Sequence, residues 1–149
     1  LFGGVLKHCS FICFDFGLKY IGVAVGSSLT CSATPLGSVQ VKGGEVDWSK
    51  VDFFVKEWLP NAFVVGLPLH IDGSPQSFHP QLIHFKKTLA ARYNKDVFWA
   101  DERLTTVAAK EELFEAGGRK NLTKEKIDAT SAKIILEQWL FEQENKKND

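Results

Sequence analysis

The stretch SFICFDFGLKYIGVAVGS, Ser10 to Ser27, decides the fold. Ser10 to Phe16 reads as one strand and Tyr20 to Ser27 as a second. The turn Gly17-Leu18-Lys19 between them is tight enough that the two form an antiparallel hairpin. Asp15 breaks the apolar run Phe11-Ile12-Cys13-Phe14. A carboxylate so near a core is unfavourable unless it is paired or holds a cation. Gly17, two positions on, lets backbone or ligand come near. Asp15 therefore directs attention to its partners elsewhere in the chain.

Moving outward, Leu36 to Val41 reads as a third strand, with Pro35 at its beginning where a missing donor is tolerated. Gly43-Gly44 breaks the chain. Asp47 is placed to cap a helix whose Trp48, Val51, Phe54, Val55 and Trp58 recur at helical spacing, ended by Pro60. Ala62 to Val65 is a short apolar strand, followed by the loop GLPLHIDGSPQ, whose Gly, Pro and Asp content marks it as exposed and a candidate for function. A second helix is expected over Pro80 to Arg92, burying Leu82, Phe85 and Leu89. Val97 to Ala100 is a strand running into DERLTT. Thr105 or Thr106 caps a helix that stops at Gly117-Gly118, and Thr123 caps a last helix to about Gln143, beyond which the charged tail should fray. The order β-β-β-α-β-α-β-α-α is that of an α/β domain with a mixed sheet flanked by helices.

Bulk properties narrow the class. With 149 residues the chain suits one domain spanning 1–149, its ordered core about residues 10–143. A hydrophobic content of 44% with 24% charged residues is that of an ordinary globular protein. No apolar run approaches the roughly 20 residues of a membrane span. The opening LFGGVLKHCSF is too short in its apolar part for a signal peptide. Cys9, Cys13 and Cys31 are odd in number and lack C-x-x-C spacing, which argues against a disulfide framework or zinc knuckle and fits a reducing cytoplasm. Cys9 and Cys13 follow the strand period and read as core residues. The 18 basic and 18 acidic residues cancel, so the global basic field of a high-affinity nucleic-acid binder is absent. The local clusters Lys86, Lys87, Arg92, Lys95 and Arg119, Lys120, Lys124, Lys126 read as solvated helix faces.

Three acidic positions stand out by context. Asp15 ends the first strand. Asp101 and Glu102 end the last one. Asp128 lies in the first turns of the final helix and is followed by Ala129, Thr130, Ser131 and Ala132, a face small enough to approach a sheet edge closely. Carboxylates gathered from separate elements repel without a cation, and hard oxygen ligands suit Mg²⁺ or Mn²⁺. Strand parity puts Asp101 with Val97 and Trp99 and Glu102 on the other side, but parity does not decide where the chain turns at a strand end; of the pair, Glu102 is favoured as the ligand and Asp101 as orienting the loop. Arg103 is a candidate phosphate clamp, and Thr105 and Thr106 can cap a helix whose N-terminus accepts an anion. Lys19, in the turn after Asp15, reads equally as a contact to a nucleic-acid backbone or as a solvated turn lysine. Neither a phosphate-binding glycine motif, a G-x-S-x-G elbow nor an H-E-x-x-H is present.

Taken together, DFGLKYIGVAVG, VVGLPLHIDGS, DERLTT and IDATSA resemble the YqgF family, described as Holliday-junction-resolvase-like and as a pre-16S rRNA nuclease. The resemblance runs from about Ser10 to Leu140, with the four motifs in the family's order. It implies a ribonuclease-H-like fold with a mixed five-stranded sheet, three antiparallel strands followed by parallel β-α units. It also implies a cytoplasmic, divalent-metal-dependent (Mg²⁺ or Mn²⁺) nuclease that processes a ribosomal RNA precursor, acting as monomer or homodimer. Asp15, Glu102 and Asp128 carry over as its acids. Two departures stand out: the strand ending Val64-Val65-Gly66 lacks the acid that related resolvases place there, and His70 stands where an Asn is expected. Branched DNA is the alternative substrate. A sugar-kinase or actin-like ATPase shares the first hairpin but needs a second lobe that 149 residues cannot hold. A non-catalytic RNA- or protein-binding module on the same fold is the other rival.

Overall fold

The computed structural model describes residues 9–67, 78–101, 115 and 123–147. They form a six-stranded mixed sheet. β1 (Ser10–Asp15) is flanked by antiparallel β2 (Tyr20–Ser27) and parallel β5 (Ala62–Leu67). β3 (Ser32–Lys42) lies outside β2 and carries the two-residue β4 (Glu45–Val46), while β6 (Val97–Asp101) runs parallel beside β5. The sheet order is β4-β3-β2-β1-β5-β6. The hairpin that opens the chain is thus the centre of the sheet.

The sixth strand corrects the expected five. Gly43 and Gly44 do more than break the chain: their φ values of +56° and +80° form a two-residue turn of the kind that hairpins favour, and Glu45–Val46 folds back on Val41 and Lys42. β3 is also longer than expected. Pro35 does not start it but pairs with Ala24 where the β2–β3 register slips, a bulge where a missing donor breaks no ladder.

β1 is buried on both faces, which is why its sequence reads as a nearly continuous apolar run. Ile12 and Phe14 face a core shared with Val51, Phe54, Leu82, Phe85 and Leu89. Those residues come from α1 (Trp48–Trp58) and α2 (His79–Tyr93), one residue longer at each end than expected. Phe11 and Cys13 face the opposite core, with Val64, Ala100, Ile135, Leu136, Trp139 and Leu140. That second core is covered by α3 (Lys124–Lys147).

The helix ends differ in detail from expectation. Asp47 precedes α1 but its carboxylate makes no cap; it accepts from Ser49 Oγ at 2.6 Å instead. α1 ends on Leu59 in a left-handed conformation, one residue before Pro60. Thr123 does cap α3, its Oγ1 accepting from Lys126 N at 3.3 Å. α3 continues to Lys147 through a segment expected to fray, which is rich in the good helix formers Glu and Lys. Arg92, expected to be a solvated cation, instead makes a bidentate pair with Asp52 across α1 and α2, Nε to Oδ1 at 2.9 Å and Nη2 to Oδ2 at 2.6 Å. The Tyr93 hydroxyl donates to the same carboxylate.

Candidate active site

Strand alternation fixes where Asp15 points. Phe11 and Cys13 face α3, so Asp15, two residues further, stands on the same face at the strand's end. It is half-buried and pairs in register with Gly22 of β2.

Gly22 is where α3 touches down. A Cβ at that position would overlap the carbonyl carbon and oxygen of Asp128 and come within 3.1 Å of Ala129 N. Only the missing side chain allows helix backbone to lie directly on strand backbone. The small face expected of α3 makes the approach possible: Ala129, Thr130, Ser131 and Ala132 are all buried. The approach is onto β2, inside the sheet, and not onto a sheet edge as the sequence reading supposed. Asp15 sits across one strand pairing from Gly22, and Asp128 sits directly above it. The backbone of Asp128 therefore lies over the strand position paired with Asp15, although the two residues come from opposite ends of the chain.

Asp128 is buried, with 7% of its surface exposed. A carboxylate so far removed from water is not on a solvated helix face, and its charge needs partners or a cation to compensate. Beside it, Ser131 Oγ is fully buried and has no hydrogen-bond partner among the described residues.

Glu102, Arg103, Thr105 and Thr106 lie outside the described residues, as do His70, most of the GLPLHIDGSPQ loop and the helix expected before Gly117-Gly118. What is described is the approach to them. Trp99 packs on the α1–α2 core and Phe98 and Ala100 on the α3 core, the face that carries Asp15. β6 then ends at Asp101, paired with Leu67. Among the described residues no group of three His, Cys, Asp or Glu side chains is close enough to hold a metal ion. Lys19 is exposed in the turn beyond Asp15, and its carbonyl accepts from Val41 N at 2.8 Å, tying that turn to β3.

Sequence reading singled out Asp15 and Asp128 but missed Gly22, the position between them. The available signal was a glycine inside an apolar strand, which marks a point of close backbone approach. No described helix is long and apolar enough to cross a membrane.

The profile of the family described as "RuvX: Holliday junction resolvase" matches residues 9–142. A protein of Colwellia psychrerythraea described as "Putative pre-16S rRNA nuclease" is 51% identical over 131 residues, covering 88% of each chain. Proteins with the same description from Sodalis glossinidius and Proteus mirabilis are 46% and 47% identical, over 88% and 87% of this chain and 93% and 94% of theirs. Among solved structures, RuvC of Thermus thermophilus in complex with a Holliday junction substrate superposes with a TM-score of 0.57 at 14% identity, covering 91% of this chain and 96% of that one. The fowlpox virus resolvase in complex with Holliday junction DNA gives 0.55 at 12% identity, over 90% of this chain and 98% of that one. At such identities the likeness is one of fold: the ribonuclease-H-like fold expected from sequence, with a sixth, two-residue strand added.

Proposed function

This chain belongs to the family described as RuvX, Holliday junction resolvase, the YqgF family of the resemblance drawn above, and from that premise we propose that it hydrolyses phosphodiester bonds of nucleic acid in the cytoplasm, RNA of the ribosomal small-subunit precursor being the substrate. The observation that carries the reading is the contact at Gly22, which lays the Asp128 backbone over the β2 position that pairs with Asp15. RNA is placed ahead of branched DNA because the relatives named for RNA processing are 45–51% identical. The junction resolvases share only the fold, at 12–14% identity.

The third acid is Glu102. The alternation of Trp99 and Ala100 between the two cores supports Glu102 over Asp101 as the residue on the Asp15 face. Three carboxylates with no cation among them would repel a phosphate, and their oxygen donors fit Mg²⁺ or Mn²⁺. Such an ion, when bound, neutralises charge on the phosphodiester and lowers the pKa of water. The chain's own part is to hold the carboxylates rigidly. Asp15 is fixed by the central strand, and Asp128 by a helix that cannot shift without leaving β2. Lys19, with Arg103, Thr105 and Thr106, would bind the phosphates flanking the cleaved bond.

The test is cleavage of a precursor-end RNA and of a four-way DNA junction, each with and without Mg²⁺ or Mn²⁺. Asp15→Asn and Asp128→Asn are expected to abolish cation-dependent cleavage while the far-ultraviolet dichroism stays that of the wild type. Undiminished cleavage by either variant would remove that residue from the site. Preferential cleavage of the junction would move the substrate assignment to DNA.

A further inference from the structure

Phe16 follows Asp15 directly and turns to the other face of the sheet, where it lines a cavity of about 630 Å³ between the β3–β4 hairpin and α2. Its wall carries Trp48, whose ring stacks on Phe85 with centroids 5.5 Å apart and planes 20° from parallel. Gln81, His84 and Thr88 of α2 add hydrogen-bonding groups, and Glu45 lies at the hairpin. Leu18, 54% exposed in the turn beyond Asp15, borders the same space.

The lining selects among the parts of a nucleic acid. Neither Lys nor Arg is among the described residues that form it, and Glu45 repels anions, so a phosphate is disfavoured. An aromatic and aliphatic wall with a few side-chain donors and acceptors suits a flat, uncharged heteroaromatic ring. The cavity is several times the volume of one such ring, and its place between the hairpin and α2 keeps out a base pair still stacked in a duplex. Phe16 directly follows Asp15, so the cavity opens on the opposite face of the sheet from that acid but at the same end of β1. Resting on the nuclease reading above, we propose that the cavity is a subsite for a single unpaired nucleobase of the strand being cut, so that the substrate must present an unstacked nucleotide near the scissile bond.

The experiment walks one abasic substitution along a single-stranded RNA. Binding is read by fluorescence anisotropy in EDTA and cleavage is read in Mg²⁺, with wild type, Gln81→Ala and His84→Ala. Both substituted residues are exposed on α2, so the fold should be kept, which melting checks. At one position the abasic strand should bind about 5- to 100-fold more weakly, the range of one stacked base. On the intact strand each variant should weaken binding about 2- to 10-fold, as for a lost hydrogen bond. On the strand abasic at that position the variants should weaken nothing further. Equal binding wherever the base is removed, or variant losses unchanged on the abasic strand, would overturn the subsite. Cleavage together with that flat pattern would sink the subsite alone. The base-dependent pattern in a protein that cuts nothing would sink the nuclease reading and leave the subsite standing. Failure to bind either strand, together with no cleavage in Mg²⁺, would sink both, and failure to bind with cleavage retained at every abasic position would sink the subsite alone.

Discussion

Replacing Gly22 by alanine adds one methyl group, and its effect can be worked from the contact it disturbs. The new Cβ would stand 1.9 Å from the Asp128 carbonyl oxygen, whereas real Cβ atoms essentially never come within 3.0 Å of such a neighbour. The obstacle is backbone, so no rotamer change relieves it, and α3 must withdraw by about 1 Å. Overpacking of this kind costs roughly 1–3 kcal/mol, occasionally more. For a chain of this size each kcal/mol lowers Tm by roughly 2–4 °C, so a fall of about 2–12 °C is expected. The site should suffer more than the fold. A misplacement of about 1 Å costs catalysis on the order of 100-fold, because Asp128 moves with the helix while Asp15 stays with the sheet. The assay pairs a urea melt with cation-dependent cleavage at a temperature where the variant is fully folded. A Gly22→Ala protein with wild-type stability and wild-type cleavage would refute the close approach, and with it the placement of the two acids.

Three further outcomes follow from the same structure. Mg²⁺ or Mn²⁺ should raise the Tm of the wild type in thermal scanning, whereas Asp128→Asn should gain nothing, because the bound ion then lacks one of its carboxylates. Asp52 is held below the usual carboxylate range, first by the hydrogen bonds from the Arg92 guanidinium and then by that from the Tyr93 hydroxyl. Its contribution is therefore present above the unfolded carboxyl pKa of about 3.9 and lost as pH falls through the lower folded value. Both partners are over 40% exposed, so solvent screening keeps the effect small. The urea midpoint of Asp52→Asn should lie slightly below the wild type at pH 7 and converge with it in strong acid. Phe85→Ala should cost about 3–5 kcal/mol in urea unfolding. That side chain is 2% exposed and packs against Phe14, Phe16 and Trp48.

Much of this architecture is legible in the residues, for identifiable reasons. The hairpin of β1 and β2 is readable because its two apolar runs and the tight turn between them are all local. Leu82, Phe85 and Leu89 are readable as the buried side of α2 because helical spacing aligns them. Glu45–Val46 is not, since two residues carry no period; only the left-handed turn of Gly43 and Gly44 brings them back to β3. Arg92 reads as one cation in a basic run because its partner, Asp52, is on another helix, and sequence spacing does not report pairs that packing creates. Asp15 and Asp128 are visible as acids in apolar or small-residue contexts. That they meet across Gly22 is not visible, because closeness between a strand and a helix so remote in sequence is set by the whole sheet.

The dual role of α3 carries a consequence for timing. It supplies the cover for one face of the sheet and also one of the two acids that meet there, and it is synthesised after every strand. A nascent chain that has not yet made this helix possesses Asp15 but lacks its companion, and exposes Phe11 and Cys13. Phosphodiester chemistry of the proposed kind is therefore withheld until that face is sealed, so an incompletely translated polypeptide cannot cut the RNA around it.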